Sequence, residues 1–117
     1  MSTHAMANHS MAYTRGVTLV DYGTEVEHEI VKLQNIIEDH AAQTARYNPR
    51  WLAIKLLEED ADLMAKVEAA PGTTALLTQA RNSITHLRSI YGDDVDTVIA
   101  DRRYGWINGL VREAVRR

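Results

Sequence analysis

The 117-residue sequence has no cysteine, no phenylalanine and only two prolines. Without cysteine there is no disulfide framework, no thiolate zinc site and no thiol nucleophile, which fits a reducing compartment. No stretch approaches the ~20 apolar residues that span a bilayer, so no direct membrane span is expected. The Gly-x-x-x-x-Gly-Lys-Ser/Thr, Gly-x-Gly-x-x-Gly and Gly-x-Ser-x-Gly patterns are also missing. Nothing here builds a phosphate cradle or a nucleophile elbow, and the chain is not expected to be an enzyme or to hold a cofactor itself. The net charge of -3 argues against nucleic acid as a partner. Met1, Met6 and Met11 are scattered among small polar residues with no basic start before an apolar run, so this is not a secretory signal. Residues 1–16 read as a disordered tail, part linker or expression remnant, and residues 17–117 as one domain. A domain of that size buries about two-thirds of its unfolded surface.

What the chain does contain is helical periodicity. Asn48 is placed to cap a helix, with Pro49 at its first position, where the missing N–H costs nothing. From Trp51 to Leu57 the only charge is Lys55. Two turns that are apolar nearly all round belong at the centre of a core. Upstream, Thr24 and Glu27 have the spacing of a capping box, which predicts a helix from Glu25 that fades near His40 to Gln43. Val26, Ile30, Leu33, Ile36 and Ile37 form its apolar face, with Glu27, Lys32, Gln34 and Glu38 opposite and His28 between two acids on the solvated side. Asp60 can cap a short helix with Leu63, Met64 and Val67 inward.

Pro71-Gly72 breaks the chain, and Thr73 or Thr74 starts the next helix. Leu76, Leu77, Ala80, Ile84, Leu87 and Tyr91 mark its stripe, and Gly92 ends it. Asp93 or Asp94 then caps a last helix, expected to be the longest. Its stripe runs through Val95, Val98, Ile99, Arg102, Trp106, Leu110 and Val111. No segment alternates like a half-buried strand. The fold class is therefore all-α, a compact bundle of four long helices plus one short helix.

Arg50-Trp51-Leu52-Ala53-Ile54-Lys55-Leu56-Leu57-Glu58-x-Asp60 resembles the signature run of the FeoB ferrous-iron transporters, in the helical domain between their GTP-binding domain and membrane part. Asp101-Arg102-Arg103-Tyr104-Gly105-Trp106-Ile107 is similar to a later run of the same family. Val20-Asp21-Tyr22-Gly23-Thr24-Glu25-Val26-Glu27 resembles the tyrosine-then-glutamate entry to the domain's first helix. The family usually has Gly where this chain has Glu59, so the central helix either stops there with a left-handed residue or runs on. The resemblance implies a cytosolic regulatory domain at the inner face of the membrane. It would strengthen GDP binding as a built-in dissociation inhibitor. Its partners would be the GTP-binding domain, holding GTP or GDP and Mg, and the transmembrane domain of the same transporter. The alternative is a freestanding helical protein–protein interaction module.

Arg50, Glu58, Asp60, Arg102 and Arg103 border the matching motifs and are the candidate residues for the face toward the GTP-binding domain. For Arg102 and Arg103 there is an equal local reading, in which one of them pairs with acids such as Glu58 or Asp60 at the end of the central helix while Tyr104 covers the bundle's edge. Trp51 and Trp106 sit at positions expected to be core. Glu25 and His28 share a helical face, but a bundle metal site needs a second Glu-x-x-His, and there is none. No metal site is expected. The arginines at the end, Arg112, Arg116 and Arg117, suit a helix C-terminus and equally suit the approach to a membrane-spanning segment.

Overall fold

In the computed structural model, which describes residues 20–40 and 46–116, the chain forms five helices: α1 (Thr24–Asp39), α2 (Pro49–Leu57), α3 (Ala61–Ala69), α4 (Thr74–Tyr91) and α5 (Val95–Arg116). No strand occurs among the described residues, in agreement with the all-α expectation. The expected tail at 1–16 and the fading of α1 beyond residue 40 lie outside them.

The core is organised by α2 and α4. In α2 the Asn48 Oδ1 accepts the Trp51 N–H at 3.0 Å, and Pro49 takes the first helical position. Leu52, Ala53, Ile54, Leu56 and Leu57 are all fully buried, as two apolar turns require. α4 touches each of the other four helices. Its Leu76, Ala80 and Leu87 meet Val26, Ile30, Leu33 and Ile37 of α1 in one hydrophobic cluster.

The end of α2 is a tight turn. The Glu59 N–H donates to Leu56 O at 3.0 Å and the Asp60 N–H to Lys55 O at 3.2 Å, the paired pattern of a Schellman motif. Its left-handed position is filled by Glu59 at φ 57°. The helix therefore stops where the family's glycine would stop it. The turn also delivers Asp60, whose Oδ1 accepts the Leu63 N–H at 3.1 Å and starts α3. Gly92 closes α4 in the same left-handed region, at φ 68°.

Several local expectations change. Thr24 does not cap α1; Gly23, at φ 93°, holds that place and Thr24 is already helical. Asp21 Oδ1 accepts the Gly23 N–H at 2.9 Å, and Glu27 Oε2 reaches back to the Tyr22 N–H at 3.0 Å. Thr73 stands before α4, but its hydroxyl turns back to the end of α3, within 2.6 Å of Val67 O and 2.9 Å of Ala70 O. Trp51 and Trp106 are partly buried against the core rather than inside it.

Glu29, read as solvated, is buried, its side chain only 2% exposed. Lys32 Nζ bonds it at 3.0 Å and the Ser83 hydroxyl of α4 donates to it, while Gln79 Nε2 donates to Ser83 Oγ at 3.0 Å. Burial alone would raise the Glu29 pKa, but these hydrogen bonds and the Lys32 charge outweigh it and hold the carboxyl below its ordinary value.

Two outcomes follow from these contacts. Glu59→Gly should relieve a left-handed non-glycine residue and stabilise the domain by about 0.5–1 kcal/mol, raising the thermal midpoint by a few degrees. An unchanged or lower midpoint would show that Glu59 is not strained. Because the Glu29 pKa is depressed on folding, its contribution is present above the unfolded carboxylate value of 4.5 and lost as pH falls through the folded one. Urea unfolding from about pH 5 to about pH 3 should therefore show a steeper loss for the wild type than for Glu29→Gln. Parallel profiles would remove Glu29 from the acid response.

Candidate interdomain site

Residues Val20 to Gly23 enter the bundle beneath a set of charged side chains. Val20 and Tyr22 are buried, Tyr22 completely. Arg50, in the first turn of α2, reaches across to α1: its Nη1 lies 2.6 Å from Glu27 Oε1 and its Nη2 2.7 Å from Glu27 Oε2. The same Nη2 donates to Val20 O at 2.9 Å. This two-pronged pairing uses the guanidinium geometry that lysine lacks. Burial pushes the Glu27 carboxyl pKa up, but the bonds from Arg50 and the Tyr22 N–H bring it below its ordinary value. The hydrogen bond to Glu27, more than burial opposes it, raises the pKa of Arg50.

On the other side of the entry segment, Arg103 of α5 donates from Nε and Nη2 to the Tyr22 hydroxyl at 3.3 and 3.2 Å. Its Nη2 also lies 2.8 Å from Glu58 Oε1. Burial raises the Tyr22 phenol pKa, and Arg103 offsets only part of that rise. Lys55 Nζ stands 3.7 Å from Glu58 Oε2 and 5.9 Å from the centre of the Trp51 ring. Tyr47 also stacks on that indole, with ring centres 5.9 Å apart. Trp51 Nε1 is the one buried side-chain polar atom without a hydrogen-bond partner among the described residues.

The five candidates thus separate. Arg50, Glu58 and Arg103 converge on the entry segment, and the Arg103–Glu58 pair is the local role anticipated for one of the arginines. Asp60 is engaged as the cap of α3. Arg102 is exposed, its guanidinium lying against the open face of Gly23, where a Cβ would come within 3.3 Å of Arg102 Cζ. Tyr22 and Glu27 were missed as site residues. The entry motif contains both, but nothing local in it announces partners that lie 81 and 23 residues away.

The set is positional rather than reactive: Glu27 and Glu58 are matched by guanidinium or ammonium groups, and Asp60 by a backbone N–H. Among the described residues no three His, Asp or Glu side chains gather where an ion could sit. No described helix is long and apolar enough to cross a membrane.

A family model described as the FeoB cytosolic helical domain matches residues 22–116. The chain is similar, at 25% identity over 99 residues, to a protein of Porphyromonas gingivalis (strain ATCC BAA-308 / W83) named Fe(2+) transport protein A/Fe(2+) transporter FeoB fusion protein. The match covers 83% of this chain but 12% of that relative, so the chain spans about an eighth of its length. No solved structure matches.

A double-mutant cycle of Arg50→Lys and Glu27→Gln, followed by urea unfolding, should give a coupling energy of about 1–3 kcal/mol, because the pair is paired twice and mostly shielded. A coupling near zero would mean that the Arg50–Glu27 pair does not hold the entry segment.

Proposed function

Since the chain belongs to the family of FeoB cytosolic helical domains, we propose that it is the regulatory domain of a GTP-binding ferrous-iron transporter. In this reading it couples a GTP-binding domain to a membrane part and stabilises the GDP-bound state. GTP, GDP and Mg²⁺ would be held by the neighbouring domain, and the work of this one would be done at the cytoplasmic face of the membrane.

The observation that supports the reading is the double anchoring of the entry segment. Arg50 and Glu27 tie Val20 and Tyr22 to α1 and α2, and Arg103 ties Tyr22 to α5. A displacement of the preceding chain is then passed to three helices together instead of being absorbed in a loose joint. Arg102, exposed beside Gly23, is the candidate best placed to touch the neighbouring domain directly. Arg50, Glu58 and Arg103 would act by holding the joint, and Asp60 by ordering the turn below it. If contacts of this kind form better with the GDP-bound state, a coupling of about 1–3 kcal/mol is the ordinary scale.

The test is the release rate of a fluorescent GDP analogue from the cognate GTP-binding domain, alone, with this chain added, and with the chain covalently joined. The joined form should slow release about fivefold or more. Arg102→Ala should restore much of the rate without altering the thermal midpoint of the chain. Equal rates for the isolated and joined domains would reduce this domain to a spacer.

A further inference from the structure

The expected apolar stripe of α5 divides into two faces. Val95 and Ile99 are buried and Trp106 packs on the core, but every described side chain from Ile107 to Val115 is exposed. Leu110 and Val111, expected on the buried stripe, are 48% and 54% exposed, and Val115 is 80% exposed. At 3.6 residues per turn, Tyr104, Ile107, Leu110, Val111 and Val115 share one side of the helix. That side is turned roughly 120° from the line through Val95, Ile99 and Trp106. It is a second apolar face with no bundle beneath it.

We propose that this exposed half of α5 lies on an anionic membrane surface, with the aliphatic stripe against the acyl boundary. Charge selects the occupant. From residue 107 to 117 there are three arginines and a single acid, Glu113, on a chain whose net charge is -3. A helical segment with one aliphatic side and an excess of arginine has the composition of helices that lie in the lipid interface. Anionic headgroups attract such a segment, and long arginine side chains reach them while their stems stay on apolar surface. A second copy fits less well, because pairing two of these stripes sets two segments of like positive charge side by side. Gly105 and Gly109 weaken this part of the helix when it stands alone. A surface that covers the stripe therefore also orders the helix. The inference depends on α5 alone and stands apart from any effect on GDP.

The test is sedimentation of the full chain with vesicles of equimolar phosphatidylcholine and phosphatidylglycerol, and with vesicles of phosphatidylcholine only. Binding should be confined to the anionic vesicles and should weaken with added salt. Arg112→Gln should weaken it about fivefold, and Leu110→Ser with Val111→Ser at least about tenfold. Both variants change exposed positions, and circular dichroism should show an intact bundle. Absence of vesicle binding, indifference to headgroup charge, or serine variants that bind like the wild type would each overturn the proposal. A concentration-dependent dimer that the serine variants abolish, without vesicle binding, would assign the stripe to a second copy instead.

Discussion

One carboxylate holds the entry to this bundle. Glu27 accepts the Tyr22 N–H and both prongs of Arg50, and Arg50 in turn reaches the Val20 carbonyl. Three elements therefore meet at one side chain: the incoming segment, α1 and α2. Arg50 is in position only because Asn48 and Pro49 start α2 one residue earlier, so a local capping choice sets a long-range contact. Removing either charge would strand its partner in a half-buried place, which costs more than the pair gains by forming.

The parts of this fold that could be read from the sequence are those decided within a few residues. Asn48, Asp60 and Gly92 act on their own helices, and all three do what their residue types predict. The apolar turns of α2 dictated burial wherever the other helices happened to lie. Glu27 and Glu29 were misread for the opposite reason. Their positions on α1 look solvated by periodicity, and only Arg50 on α2 and Ser83 on α4 make burial of a carboxylate tolerable. Thr24 failed as a cap because Gly23 turns the chain at φ 93°, a backbone choice that the Thr-x-x-Glu spacing cannot report.

The candidate site shows the same division. The resemblance brought Arg50, Glu58, Asp60, Arg102 and Arg103 forward as a set; Arg50 and Arg103 reach the entry segment, and Glu58 joins it through Arg103. What it did not contain was the pairing. Tyr22 and Arg103 are 81 residues apart and meet only through the tertiary fold, which neither motif reports. Asp60 stands apart for a local reason, since its carboxylate is already used by the turn that Glu59 makes possible.

These contacts anchor the first half of α5 and leave the second half exposed. Its first half is fixed by Val95, Ile99 and Trp106 against the core and by Arg103 to Tyr22 and Glu58. The nine residues from Ile107 to Val115 extend about 13 Å beyond that anchorage at the helical rise of 1.5 Å per residue. Arg103 lies one turn before the exposed part begins, so the side chain that grips the entry segment also sits at the base of the projecting arm. In the coupling proposed above, a tilt of the incoming chain would reach that base through Tyr22. The apolar stripe that the core leaves uncovered is thus the same feature that leaves the arm free to meet another surface.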